Sequence, residues 1–154
     1  RGAALPLGGG GEQSFEEELL RRVPCREEAP WFVAKPESVA DVQACARCAG
    51  GLRATLSVVG GGHSPYSTKG RVVVDLQKFK SIEVDPQERT VTVGGGALLE
   101  EILEAAAKHK LTLPLGTAPS VGLGLVLQGG VGHLTRRCGL SVDRLLSAQL
   151  VVAD

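Results

Sequence analysis

The chain has 154 residues, enough for one domain with its own core, and its 17 basic residues balance 17 acidic ones. No block of basic residues is interleaved with aromatics, so no sequence-wide field recruits nucleic acid or an anionic membrane surface. No run approaches the ~18–20 apolar residues that span a bilayer, and Arg1–Leu7 is too short for a secretory apolar segment, so the compartment stays open.

The sequence contains no methionine, which predicts a fragment or a processed piece of a longer product. Cys45 and Cys48 have CxxC spacing, but no second pair and no nearby histidine pair completes a metal set with Cys25 or Cys138, so no metal is expected. Both fall in a helical stretch and are expected to be small packing residues.

Residues 1–13 are glycine-rich, with Gly8–Gly11 unbroken and no apolar period, which predicts linker or disorder. Residues 14–28 predict a helical extension: Ser14 and Glu17 have capping-box spacing, and the helix stops before Pro24. The main domain is expected over 29–154. Trp31–Ala34 before Pro36 reads as its first strand, because the residue before a proline is driven extended. Ser38 caps a helix with Val39, Val42, Ala46 and Ala49 at three- and four-residue steps, ending at Gly50–Gly51. Leu56–Val59 follows as a buried strand, which makes a βαβ unit with a glycine loop at the carboxyl end of its second strand, where open α/β sheets take ligands.

That loop is Gly60-Gly61-Gly62-His63-Ser64-Pro65. Glycines without Cβ let successive N–H groups converge on an anion such as a phosphate. The imidazole that follows is largely neutral, hence nucleophilic, at physiological pH. Plain turns also use glycine triplets, and on spacing alone a solvated loop histidine is the commoner reading, by roughly two to one. The pattern is not the GxGxxG dinucleotide fingerprint, because Pro65 and a further strand, Arg71–Asp75, follow instead of a helix.

Ile82–Val84 and Thr90–Val93 alternate with period two around the turn Asp85–Glu88, a hairpin. A second triplet, Gly94–Gly96, has no histidine after it and reads as a turn into a helix over Ala97–Lys108, with Leu98, Ile102, Leu103 and Ala106 on one face. From Leu113 to Gly139 glycine is too dense for an ordinary helix, yet Val121, Leu123, Leu125, Val126 and Leu127 are costly to leave in water. Close approach of a flat ligand to this backbone accounts for both. Leu150–Asp154 reads as a strand cut off at its far end.

Val59–Ser64, Trp31–Pro36, Ser38–Val42, Gly116–Gly122, Gly129–Gly132, Arg136–Leu140 and Asp143 together resemble the FAD-linked oxidases of the vanillyl-alcohol oxidase type, most closely the berberine-bridge-enzyme-like branch, over about residues 30–154. The resemblance implies an α+β fold, a PCMH-type FAD-binding domain of two α/β subdomains, here truncated at its C-terminal end. It implies FAD as cofactor, held by Val59, Gly60, Gly61, Gly62, His63, Ser64, Ser120, Val121, Gly122, Gly129, Gly130, Gly132 and Val152, with Gly95 structural. His63 matches the residue that commonly bonds covalently to the 8α-methyl carbon of FAD, while Ala118 stands where bicovalent members have a cysteine.

The implied activity is hydride transfer from an alcohol, sugar or alkaloid-like small molecule to FAD, with dioxygen or another electron acceptor as second partner. The resemblance puts the catalytic base and the substrate pocket beyond Asp154, so this chain alone is expected to turn nothing over. The competing expectations are a noncovalent FAD-dependent dehydrogenase or reductase, and a catalytically incompetent flavin-binding module.

Overall fold

The computed structural model describes residues 3–6, 30–64 and 71–152. The helical extension expected over 14–28 lies outside the described residues.

The first layer is a four-stranded sheet: β1 (Ala3–Pro6), β2 (Phe32–Lys35), β3 (Leu56–Val59) and β4 (Val72–Asp75), in the order β1-β2-β4-β3. β4 is parallel to both β2 and β3, and β1 is antiparallel to β2. The run Val72-Val73-Val74-Asp75 takes the centre because every side chain in it is buried, as an interior parallel strand requires. Thus the expected βαβ unit forms with its two strands parallel, but β4 inserts between them.

Three expectations change here. Residues 1–13 were expected as linker, yet Ala3–Pro6 pairs with β2, Ala3 opposite Lys35 and Pro6 opposite Phe32. Such pairing needs only main-chain donors and acceptors, which the open side of β2 presents, and Pro6, lacking an N–H, sits at the end of the edge strand. β3 is an edge strand rather than a buried one: Val59 is 1% exposed but Val58 is 49% exposed. Finally, Leu150–Val152 makes no strand pairing among the described residues, for a strand exists only where a neighbour supplies the ladder.

The crossover helix α1 (Val39–Gly51) begins at a full capping box. Ser38 Oγ accepts from Asp41 N–H at 3.2 Å and Asp41 Oδ2 accepts from Ser38 N–H at 3.0 Å, which satisfies donors the first turn leaves open. Cys45 is half-buried and Cys48 exposed, so Cys48 is not the packing residue expected.

The second layer starts with the hairpin β5 (Ile82–Asp85) and β6 (Thr90–Val93). Asp85 Oδ1 closes its turn by accepting from the N–H groups of Gln87 and Glu88 at 2.8 and 3.0 Å. Helix α2 (Leu99–Ala107) buries Leu99, Ile102 and Ala106, and Leu99 and Ile102 join Ala97, Leu115 and Val126 in a core of their own. Leu99, not Leu98, is its most buried apolar position. A second cluster, Val33, Val59 and Val73, belongs to the parallel sheet. The remaining chain folds as a 3₁₀ turn over Leu123–Gln128, a short helix α3 (Thr135–Cys138) and a 3₁₀ turn over Val142–Arg144. No helix among the described residues is long and apolar enough to cross a membrane.

Candidate functional site

β3 delivers the glycine loop at the carboxyl end of the parallel sheet. Val59 is locked there: it is buried, sits opposite Asp75 in register, and its carbonyl accepts from Leu76 N–H at 2.9 Å. Gly61 and Gly62 are buried, and Gly62 has φ +70°, a conformation only glycine adopts without strain. Among the described residues the N–H groups of Gly62 and His63 donate to no acceptor. A buried amide in that state is a donor still owed an acceptor.

The second glycine region meets this loop directly. A Cβ built on Gly61 would lie 2.2 Å from Gly122 N and 3.0 Å from Ser120 O, and a Cβ on Gly122 would lie 2.2 Å from Gly61 N. Both positions must be glycine for the two backbones to touch. The segment 120–122 is fixed from behind by α2: Leu99 N–H donates to Val121 O at 2.9 Å, and Leu98 and Gly122 form an antiparallel bridge. Across the junction His63 Nε2 lies 3.0 Å from Ser120 Oγ. His63 and Ser64 are exposed, Ser120 and Val121 half-buried.

The other expected positions are not gathered at this junction by any recorded contact. Gly129 (φ +121°) and Gly130 (φ +76°) accept from Val142 N–H at 2.9 Å and Ser141 N–H at 3.0 Å. Ser141, 3% exposed, has its Oγ 2.6 Å from Pro114 O and 3.1 Å from Gly130 O. A Cβ on Gly130 would strike Ser141 Oγ at 2.4 Å, and one on Gly132 would strike Leu115 O at 1.8 Å. The chain's own packing therefore accounts for these two glycines, which the density of glycine had attributed to a ligand. Val152 is 63% exposed. Ala118 is exposed, and its carbonyl accepts from Val121 N–H at 3.3 Å.

Two participants escaped sequence reasoning. Gly95 was read as part of a plain turn, and its triplet does pack on the preceding loop, since a Cβ on Gly96 would lie 1.7 Å from Leu76 O. Yet Gly95 O also lies 3.2 Å from where a Gly60 Cβ would stand, so this turn forms another wall of the first loop. The other is Asp75, fully buried beside Val59. Its Oδ1 accepts from Gln77 N–H at 3.0 Å, whereas Oδ2 has no hydrogen-bond partner and faces Lys35 Nζ at 3.9 Å. Burial pushes the Asp75 carboxyl above the usual carboxylate pKa, with the Gln77 N–H and the Lys35 charge pulling the other way. The signal for it was an acid closing an all-valine run.

An open groove along the hairpin, lined by Glu83, Asp85, Gln87, Thr90 and Thr92, includes none of these residues. Among the described residues no group of three or more His, Cys, Asp or Glu could hold a metal ion.

A parallel sheet that ends in a glycine loop, met by a second glycine segment braced on a separate α/β layer, defines a flavin-binding domain of PCMH type. Comparison with known proteins agrees: the FAD binding domain family matches residues 30–154, and the chain belongs to that family, whose cofactor is FAD. It is 39% identical over 132 residues to (R)-6-hydroxynicotine oxidase of Paenarthrobacter nicotinovorans, covering 82% of this chain and 28% of that protein. To the glucooligosaccharide oxidase of Sarocladium strictum it is 34% identical over 131 residues, covering 81% and 26%. The solved structure of BBE-like 1 from Physcomitrella patens superposes with a TM-score of 0.84 at 31% identity, covering 94% of this chain and 32% of that one. The chain thus spans about a third or less of the length of the proteins it matches.

Proposed function

We propose that this chain is the FAD-binding part of a flavin-dependent oxidoreductase that takes hydride from an alcohol, sugar or alkaloid-like small molecule and passes the electrons to dioxygen or another acceptor. The observation that carries the reading is the junction of the Gly60–Gly62 loop with Ser120–Gly122, bridged by His63 and Ser120. Its chemistry fits the cofactor: the buried, unclaimed N–H of Gly62 and that of His63 suit a pyrophosphate oxygen, and an imidazole suits attachment to the flavin ring. The names of the relatives, oxidases of a nicotine derivative and of a glucose oligosaccharide, support the substrate range.

FAD, when bound, supplies the hydride acceptor and the relay to the second substrate. This chain's residues hold and shield it. Gly62 and His63 offer main-chain donors, and Ser120, Val121 and Gly122 form the facing wall. Gly129, Gly130 and Gly132 shape the fold of the second glycine segment on itself. With FAD bound, His63 would supply the nucleophile for one covalent bond to the 8α carbon, and the methyl group of Ala118 would offer none for a second.

The test is flavin absorbance of the purified protein, then in-gel flavin fluorescence after denaturation and peptide mapping by mass spectrometry. Flavin mass on the peptide that contains His63, and on no other, is expected. A protein purified without flavin, and unable to take it up from solution, would be a different kind of module. FAD released in full on denaturation would make it a noncovalent flavoprotein.

A further inference from the structure

We propose that Asp75 is a positioning residue for the Gly60–Gly62 loop, and that a proton on its carboxyl strengthens the binding of the FAD pyrophosphate there. The inference rests on the reading of that loop as the pyrophosphate site and adds the group that regulates it.

Asp75 is the last residue of the central strand β4, fully buried and opposite Val59, from which the loop leaves β3. Its Oδ1 accepts from Gln77 N–H at 3.0 Å and so closes the turn that presents Leu76. Leu76 reaches both supports of the loop. Its N–H donates to Val59 O at 2.9 Å, and its carbonyl, which accepts from Phe79 N–H at 2.8 Å, lies 1.7 Å from where a Gly96 Cβ would stand. Its Cδ1 lies 3.1 Å from the corresponding position on Gly95, whose carbonyl backs Gly60. One carboxyl oxygen therefore sets a residue that touches the root of the loop and its wall.

The other oxygen has no such task. Oδ2 is buried without a hydrogen-bond partner among the described residues, which costs stability, and a charge on it costs more. The charged side chain that faces it is Lys35, with Nζ at 3.9 Å from the end of the parallel neighbour β2. β3 presents the apolar Val59, and Lys78, beyond the turn, is paired with Glu37.

The two forms of the carboxyl act differently on the loop. Gly62 stands three residues beyond Val59, at most about 11 Å of chain away. An ionised Asp75 therefore opposes a pyrophosphate that brings two more negative charges, and at a buried strand end that repulsion is weakly screened. Protonation withdraws the charge and leaves the carboxyl ends of β2 and β4, where Lys35 also stands, one unit more positive. Burial favours the neutral form as well. FAD and the proton thus favour each other, so FAD binding raises the Asp75 pKa and takes up a proton. Affinity is highest below the pKa of the FAD-free protein, falls between that value and the higher one of the complex, and is level above both.

The experiment follows FAD binding by isothermal titration calorimetry from acid to neutral pH, in buffers of different ionisation enthalpy, so that affinity and proton uptake are read together. All proteins carry His63→Ala, which removes the titration of the imidazole and keeps binding reversible. With Asp75 in place, affinity is expected to fall about tenfold as pH rises, with net proton uptake where it falls. Asp75→Asn keeps an acceptor for Gln77 N–H but cannot ionise, so it should bind at every pH as tightly as the protonated parent, without that uptake. Asp75→Ala lacks the acceptor, and its affinity should lie about five- to tenfold below that of Asp75→Asn at every pH, a gap that a role confined to charge would not produce. Asp75→Leu, equally without an acceptor but able to fill the buried place, repeats the comparison should Asp75→Ala not fold. A pH slope and proton uptake left unchanged by Asp75→Asn overturn the proton link, and an Asp75→Ala or Asp75→Leu protein that binds like Asp75→Asn overturns the positioning role. Failure to bind FAD at any pH, with or without His63→Ala, removes the reading of the loop itself and this inference with it.

Discussion

Replacing Gly61 by alanine tests whether the two glycine segments meet by backbone contact. The added Cβ would stand 2.2 Å from Gly122 N, 2.8 Å from Gly122 Cα and 3.0 Å from Ser120 O, all main-chain atoms that no rotamer change can move. Ordinary contact needs about 3.5 Å, so the segments must part by roughly 1 Å. Overpacking costs about 1–3 kcal/mol, and an obstacle made wholly of backbone puts Gly61→Ala at the upper end, about 2–3 kcal/mol. In a domain of this size that lowers the melting temperature by roughly 4–12 °C. The same displacement breaks the contact between His63 and Ser120, so FAD affinity should fall with stability. Gly50→Ala is the control: nothing lies within 4 Å of its Cβ, and in the last turn of α1 the change should stabilise by about 0.5–1 kcal/mol. Thermal melts followed by circular dichroism, with FAD titrated by fluorescence quenching, read both effects. A Gly61→Ala protein that melts with the parent and binds FAD as tightly would refute the contact.

Gly130→Val should impair folding of the FAD-free protein before any effect on flavin, by about 2–3 kcal/mol, since its Cβ meets Ser141 Oγ and its φ of +76° resists a branched side chain; urea midpoints of apoprotein decide. Ser38→Ala should cost about 1 kcal/mol through loss of the α1 cap, and Ser38→Asp should recover most of it. Asp75→Asn should change the pH dependence of stability. The folded carboxyl pKa is raised, so this group's contribution is fully present below the unfolded pKa and is lost as pH rises through the folded value. Relative to the parent, Asp75→Asn should therefore gain stability as pH rises through the acid range, and a stability difference that does not change with pH would rule this out.

Elements whose cause is local were legible in the sequence. Ser38 and Asp41 carry their cap in three residues, Asp85 carries its turn, and the Val72–Val74 run announces a strand. The triplet before His63 likewise marked a turn at the carboxyl end of β3, where the structure has it. What failed depends on neighbours that no period encodes. Leu56–Val59 has the same apolar composition whether it is central or at an edge, and only the insertion of β4 beside β2 puts it at the edge. Strand Ala3–Pro6 pairs through its main chain, to which side-chain patterning is blind. The dense glycines of 113–139 were read as one feature serving a ligand, although they serve two ends. Gly116, Gly130 and Gly132 let the segment fold on itself, and Gly122 lets it touch Gly61.

That division bears on how such a site keeps its geometry. A loop built only of glycines would give its ligand donors but no fixed position, because glycine loses more conformational freedom on folding than any other residue. Here the freedom is removed from outside. Gly60 is backed by Gly95 O, Gly61 by Gly122, and His63 by Ser120, so two sequence-distant segments together hold three residues of the loop in place. Those supports are anchored in turn: Gly94 and Gly96 donate to Ser81 O and Phe79 O, each at 2.8 Å, and residues 121–123 are tied to Ala97–Leu99. The braces from both sides therefore converge on the residues around the start of α2. A change that loosens this helix start, such as loss of the Glu101 carboxylate that accepts from Leu98 N–H at 2.8 Å, reaches the ligand loop through main-chain contacts without touching any residue in it.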